Sequence, residues 1–150
     1  RAARDYLEQI RRVDVGRVAG GRRDPAKVGQ LLKSLARHVA TEVGIPALAA
    51  DAGGADGPLA RNTVVDYLDV LERLMIVENQ PAWAPQMRSR AILRSSSKRH
   101  FVDPSLAVAA LAAGPTRLLA ELNLLGLLCA SLVLRDPRVQ SQPRDGRSLH

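Results

Sequence analysis

A chain of 150 residues that is 46% hydrophobic can bury a core, but at 3% aromatic that core must be built from Leu, Val, Ile and Ala. The formal charge of +7 comes mostly from arginine. It favours an anionic partner such as nucleic acid, although an arginine-rich genome gives the same bias and charge alone names no partner. The single cysteine, Cys129, excludes an internal disulfide or a cysteine zinc site and fits a reducing cytoplasm.

Taken in chain order, Tyr6, Leu7, Ile10 and Val13 have helical spacing. Gly16, Gly20 and Gly21 mark a loop. Asp24-Pro25 is a helix start, with Asp as cap and Pro at the first helical position. Val28, Leu31, Leu32, Leu35, Ala36 and Val39 then predict an amphipathic helix to about Glu42. Residues 45–50 predict a short second helix and 51–58 a loop. A third helix is expected from about Arg61, with Val64, Tyr67, Leu68, Leu71, Leu74 and Met75 as its buried stripe. Asp66, Asp69, Glu72 and Arg73 fall on the opposite side.

Residues 76–78 and 89–94 read as two short strands around the proline-broken Pro81–Pro85 segment, and 99–102 as another strand. Asp103-Pro104 repeats the helix-start signal, and Gly114-Pro115 breaks that helix. Thr116 is the expected cap of a last helix over 117–134. Residues 118–134 form the longest apolar region, but it is short and carries Glu121, Asn123 and Ser131. It reads as a core helix rather than a membrane span, with Cys129 as a small buried hydrophobe. The tail from 137 is polar and is expected to lack order.

Helix, short helix, helix, strand, loop, strand is the order of a winged helix, in which the third helix enters the major groove and the wing touches the backbone. Arg61 and Asn62 are the groove-facing candidates. Arg88, Arg90, Arg94, Lys98 and Arg99 are the wing candidates, in a stretch from Met87 to His100 without an acid. Against DNA stand the carboxylates of the third helix. DNA contact and protein docking both remain open on these residues.

Catalytic signatures are missing. No phosphate loop of the GxxxxGK[ST] type occurs, and His38, His100 and His150 have no zinc spacing. Ser95-Ser96-Ser97 has no histidine and acid pattern to make it a nucleophile. His38 reads as a helix-surface residue and Asp103 as a helix cap.

Four segments together resemble a known family. They are Leu31–Arg37, Asn62–Leu74, Pro81–Pro85 with Arg88-Ser89-Arg90, and Lys98–Ala107. In order and spacing they resemble the domain of unknown function (family 4143) that follows the ATPase core in prokaryotic AAA-type ATP-binding proteins, over about residues 4–139. The resemblance implies an ATPase core upstream of Arg1, a winged-helix part, and a following domain similar to restriction-endonuclease folds. It also implies a glutamate where Ala130 stands, and later strands bearing an acidic Glu-Val-Asp motif that this chain lacks. A magnesium-dependent nuclease needs converging carboxylates, so no nuclease activity is expected.

The expected fold class is therefore mainly α with a small β component. A winged-helix-like three-helix unit plus β-hairpin is followed by an incomplete endonuclease-like α/β part. The expected divisions are 1–23 (helix and linker), 24–94 (winged-helix-like), 95–136 (partial endonuclease-like) and 137–150 (disordered tail). The expected function is that of a non-catalytic C-terminal accessory region of an AAA-type ATP-binding protein, contacting DNA through the winged helix. The alternatives are a module docking on an ATPase core or another protein through exposed apolar helices, or a fragment without independent activity. No cofactor and no membrane partner are expected, and the expected location is the cytoplasm.

Overall fold

The computed structural model describes residues 2–14, 24–80 and 97–141, with side chains as far as residue 12 in the first stretch and 133 in the last. Helix α1, Ala2–Gln9, runs into a π-helical turn, Ile10–Asp14. Leu7 and Ile10 are buried, while Tyr6, read as part of the same stripe, is exposed. Arg11 fastens this segment to the next helix, its Nε donating to the Pro25 carbonyl at 3.1 Å.

Helix α2, Pro25–Arg37, begins as its sequence dictates. Asp24 Oδ1 accepts from the Ala26 N–H at 2.8 Å, and Pro25 stands at the first helical position. The predicted stripe from Val28 to Val39 is buried throughout. The helix stops at Arg37 rather than near Glu42, because the sheet claims the backbone that follows. Ala40 turns to φ 59°, and its N–H donates to the Arg99 carbonyl at 2.9 Å.

Helix α3, Ile45–Gly53, extends past residue 50 into the segment read as a loop. Two features carry it on. Asp51 Oδ2 accepts from the buried Ser34 hydroxyl at 2.5 Å, and Ala52 is fully buried. Gly53 then permits a close crossing, since a Cβ there would lie 2.9 Å from Pro58 Cα.

Helix α4, Arg61–Arg73, starts where expected and buries Val64, Tyr67, Leu68, Val70 and Leu71. Met75 does not join the stripe and is 69% exposed. It takes a left-handed conformation at φ 56°, donating to the Glu72 carbonyl, while Ile76 N–H reaches back to the Leu71 carbonyl, each at 2.9 Å. This closure turns Met75 outward and sends Ile76 into the core.

The sheet has two antiparallel strands, β1 (Val77–Gln80) and β2 (Lys98–Phe101), with Val77 opposite Phe101 and Gln80 opposite Lys98. The stretch 89–94, read as the second strand, lies outside the described residues. The partner of β1 is the stretch that the sequence placed after the hairpin. A bridge between Glu42 and Lys98 covers the far side of β2 at its first residue. The expected boundary between 94 and 95 thus falls between two paired strands.

Helix α5, Pro104–Ala110, is capped by Asp103, whose Oδ1 accepts from the Ser105 N–H at 2.8 Å. The apolar region that follows is two helices rather than one: α6, Pro115–Ala120, and α7, Leu122–Ser141. Gly114, not Thr116, is the cap of α6, because Pro115 has no N–H to lose and fits the first helical position. Helix α7 continues through Pro137, so the predicted break there does not occur. A proline inside a helix costs a hydrogen bond, yet the helix runs on to Ser141. Residues 142–150 lie outside the described residues.

The fold is mainly α with a small two-stranded antiparallel sheet. Helix α2 lies at its centre, packed on α3 and α5. Helix α1 closes over α5, and α4 connects α3 to β1. One cluster of buried side chains runs from Leu7 to Leu128, across the expected boundaries at 23/24 and 94/95. After Phe101 the described residues form helices without a further strand.

Candidate functional site

The candidate residues do not converge. Arg61 and Asn62 open α4, both exposed, and Lys98 opens β2, also exposed. Arg61 and Lys98 make no ion pair among the described residues. Arg99 differs, because its guanidinium is partly buried. Nη1 donates to the Val43 carbonyl at 2.8 Å, while Nε is buried without a partner among the described residues. Burial lowers the Arg99 pKa below the ordinary arginine value, and the nearby Glu72 carboxylate opposes that shift. Arg99 therefore ties the hairpin to the turn after α2. Arg88, Arg90 and Arg94 lie outside the described residues.

Helix α4 presents Asp66 and Asp69 to solvent, as its pattern requires. Glu72 is partly buried and accepts from the Asn79 side chain of β1. Near its start the exposed side of α4 offers one cation and one amide, and farther along it offers carboxylates. Phosphates would be attracted at one end and repelled at the other.

His100, within the basic stretch, is buried. Its Nδ1 lies 2.7 Å from Ser131 Oγ of α7, and its Nε2 lies 2.9 Å from Gln80 Oε1 of β1. A carbonyl oxygen accepts, so Nε2 carries the proton. Nδ1 then accepts from the Ser131 hydroxyl. This buried chain fastens the last helix to the sheet. In the sequence, His100 blends into a basic run and Ser131 looks like a polar blemish in an apolar helix. Only their shared burial connects them.

Helix α7 turns Leu128 and Ser131 toward the body. Leu124 and Leu127 pack partly against it and Leu125 is half-buried, while the other positions up to residue 133 are exposed. Leu122 is 70% exposed and Val133 65% exposed, with Leu132 and, on α6, Leu119 also outside the core. Cys129, expected to be buried, is exposed. The reason is phase: one residue along a helix rotates the side chain by about 100°, so the residue after Leu128 faces away from the body. The remaining exposed positions on this side include Gly126 and Ala130. Several large apolar side chains thus stand in solvent on two adjoining helices.

No helix among the described residues is long and apolar enough to cross a membrane. Among the same residues no group of His, Cys, Asp or Glu is placed to hold a metal ion.

A mainly helical body with a small hairpin and an apolar outer helix is the architecture to which the comparisons attach. Residues 1–117 match a Domain of unknown function (DUF8612), and the chain belongs to that family. The match ends within α6, so α7 lies beyond it. It is a different domain of unknown function from the family 4143 of the resemblance, and nothing in it links the chain to AAA-type ATP-binding proteins. No curated protein and no solved structure matches the chain.

Proposed function

We propose that this chain is a non-catalytic accessory module that docks on a protein partner through α6 and α7, in the setting of an AAA-type ATP-binding protein that the sequence resemblance implies. The observation that carries this reading is the uncovered apolar surface of Leu119, Leu122, Leu132 and Val133. Burying one such side chain contributes about 1.5–3 kcal/mol, so a few of them supply the apolar centre of a specific contact.

A second reading, DNA contact by a winged-helix-like unit, is favoured by a separate observation. Arg61, Asn62 and Lys98 are exposed at the start of the third helix of that unit and at the hairpin. The internal commitment of Arg99 and the carboxylates of α4 weaken it.

One set of measurements separates the two. The ATPase portion of a candidate ATP-binding protein and a duplex DNA are each titrated with the chain at low and moderate salt. The docking reading requires binding to the ATPase portion that persists in salt and disappears in the Leu122→Glu, Val133→Glu double variant. The DNA reading requires binding to duplex that falls steeply with salt and weakens in Arg61→Ala, Lys98→Ala. If those apolar substitutions leave partner binding unchanged, the docking surface is misplaced.

A further inference from the structure

Between α2 and the α6–α7 pair lies a cleft of about 490 Å³. Its rim carries Lys33 and Arg37 from α2 and Arg117 from α6, all exposed. Its walls are Leu111, Leu118 and Leu124, all partly buried. From this cleft we propose that α2, α6 and α7 together receive an acidic peptide segment of a partner protein, one that sets carboxylates beside bulky apolar side chains. The proposal rests on the docking reading above and assigns the chemistry of the segment that docks.

Three features support that occupant. Lys33 and Arg37 stand four residues apart on one helix face, where like charges repel each other. Neither makes an ion pair among the described residues, so the helix alone does not answer their charge. The acids close by, Glu121 in the lining and Asp51 beside it, offset only part of the charge of Lys33, Arg37 and Arg117. Glu121 pairs with Arg117 Nε at 3.5 Å, and Asp51, which borders an adjoining hollow shared with Lys33 and Arg37, accepts from Ser34.

The apolar walls identify the rest of the occupant. A free inorganic anion would use the cations and leave the leucines wet. A nucleic-acid backbone would gain nothing from Leu111, Leu118 and Leu124. A peptide with Glu and Leu neighbours satisfies both halves of the cleft, and its volume suits a few apolar side chains.

The test uses the full chain and a fluorescein-labelled peptide of alternating Glu and Leu pairs, followed by anisotropy. Comparison peptides replace Glu by Lys or Leu by Ser, and inorganic phosphate is added as a competitor. Binding of the Glu/Leu peptide is expected to fall at least about tenfold in Lys33→Glu, Arg37→Glu. The Lys/Leu and Glu/Ser peptides are expected to bind far more weakly. All three cations are exposed, and circular dichroism checks that each variant is folded. If charge reversal disturbs the fold, Lys33→Gln, Arg37→Gln serves instead, with a smaller loss expected.

Equal binding of the Glu/Ser peptide, or displacement by phosphate, would make the cleft a simple anion site and overturn the proposal. So would sedimentation showing that a second copy of the chain fills the cleft. Failure of the Glu/Leu peptide to bind, while Leu122→Glu, Val133→Glu still abolishes partner docking, would reject the cleft and leave the docking reading standing.

Discussion

Replacing Ser131 by Ala tests whether the buried chain Gln80–His100–Ser131 holds α7 to the body. The substitution removes a hydroxyl 2.7 Å from His100 Nδ1, with Ser131 4% and His100 3% exposed. It leaves a ring nitrogen without that donor in a place water hardly reaches, at a cost of about 1–3 kcal/mol. Alanine returns up to about 0.5 kcal/mol through its higher helix propensity. The net loss is therefore about 0.5–2.5 kcal/mol, or a fall of roughly 1–10 °C in melting temperature for a chain of this size. Urea unfolding of wild type, Ser131→Ala, His100→Leu and the double variant would give the stability changes and their coupling. A coupling of at least about 0.5 kcal/mol is expected, since the two side chains share one bond. Additive single changes, or a neutral Ser131→Ala, would show that this bond does not hold α7.

Other consequences follow from single observations. Ala112 sits at φ 51° at the end of α5, so Ala112→Gly should relieve left-handed strain and raise stability by up to about 1 kcal/mol, measured by thermal unfolding. Gly53→Ala should do the reverse. Its Cβ would meet the Pro58 backbone at 2.9 Å, and overpacking of about 1–3 kcal/mol exceeds a helix-propensity gain of about 1 kcal/mol. The Lys27 ammonium, 2.6 Å from Asp56, holds the Asp56 carboxyl below the ordinary value of 3.8, first by the hydrogen bond and then by charge. That contribution is fully present above the unfolded pKa and is lost as pH falls through the lower folded one. Asp56→Asn should therefore lower the melting temperature slightly near neutrality, change little at pH values below the folded pKa, and so flatten the acid-side fall. Cys129 should react with a thiol reagent in the native state at a rate near that of the unfolded chain. Slow labelling that requires unfolding would contradict the orientation of α7.

Where one side chain decides an outcome through local chemistry, the sequence reads well. Asp24 and Asp103 cap the helices that their following prolines begin, and the stripe of α2 is buried as its spacing implies. Reading fails where tertiary contacts decide. The strand at Lys98–Phe101 is close to the one expected at 99–102, but its pairing with β1 and its bridge to Glu42 are not legible in the sequence. Residues 124–134 of helix α7 are almost all apolar or small, so periodicity cannot give their phase. Cys129, expected to be buried, therefore meets solvent, while Ser131 meets His100. Of the candidate site residues, Arg61, Asn62 and Lys98 lie exposed, whereas Arg99 is held by a carbonyl that no spacing could foretell.

The packing of α1 on α5 also bears on how the chain is made. Leu7 and Ile10 are translated long before the helix at Pro104–Ala110 that helps to cover them. At roughly 5–20 residues per second, the contact of α1 with α5 waits on the order of 5–20 s after Ile10 is made. Transient shelter by a chaperone, and slow closure of the whole unit afterwards, are what such distant pairing demands of the cell.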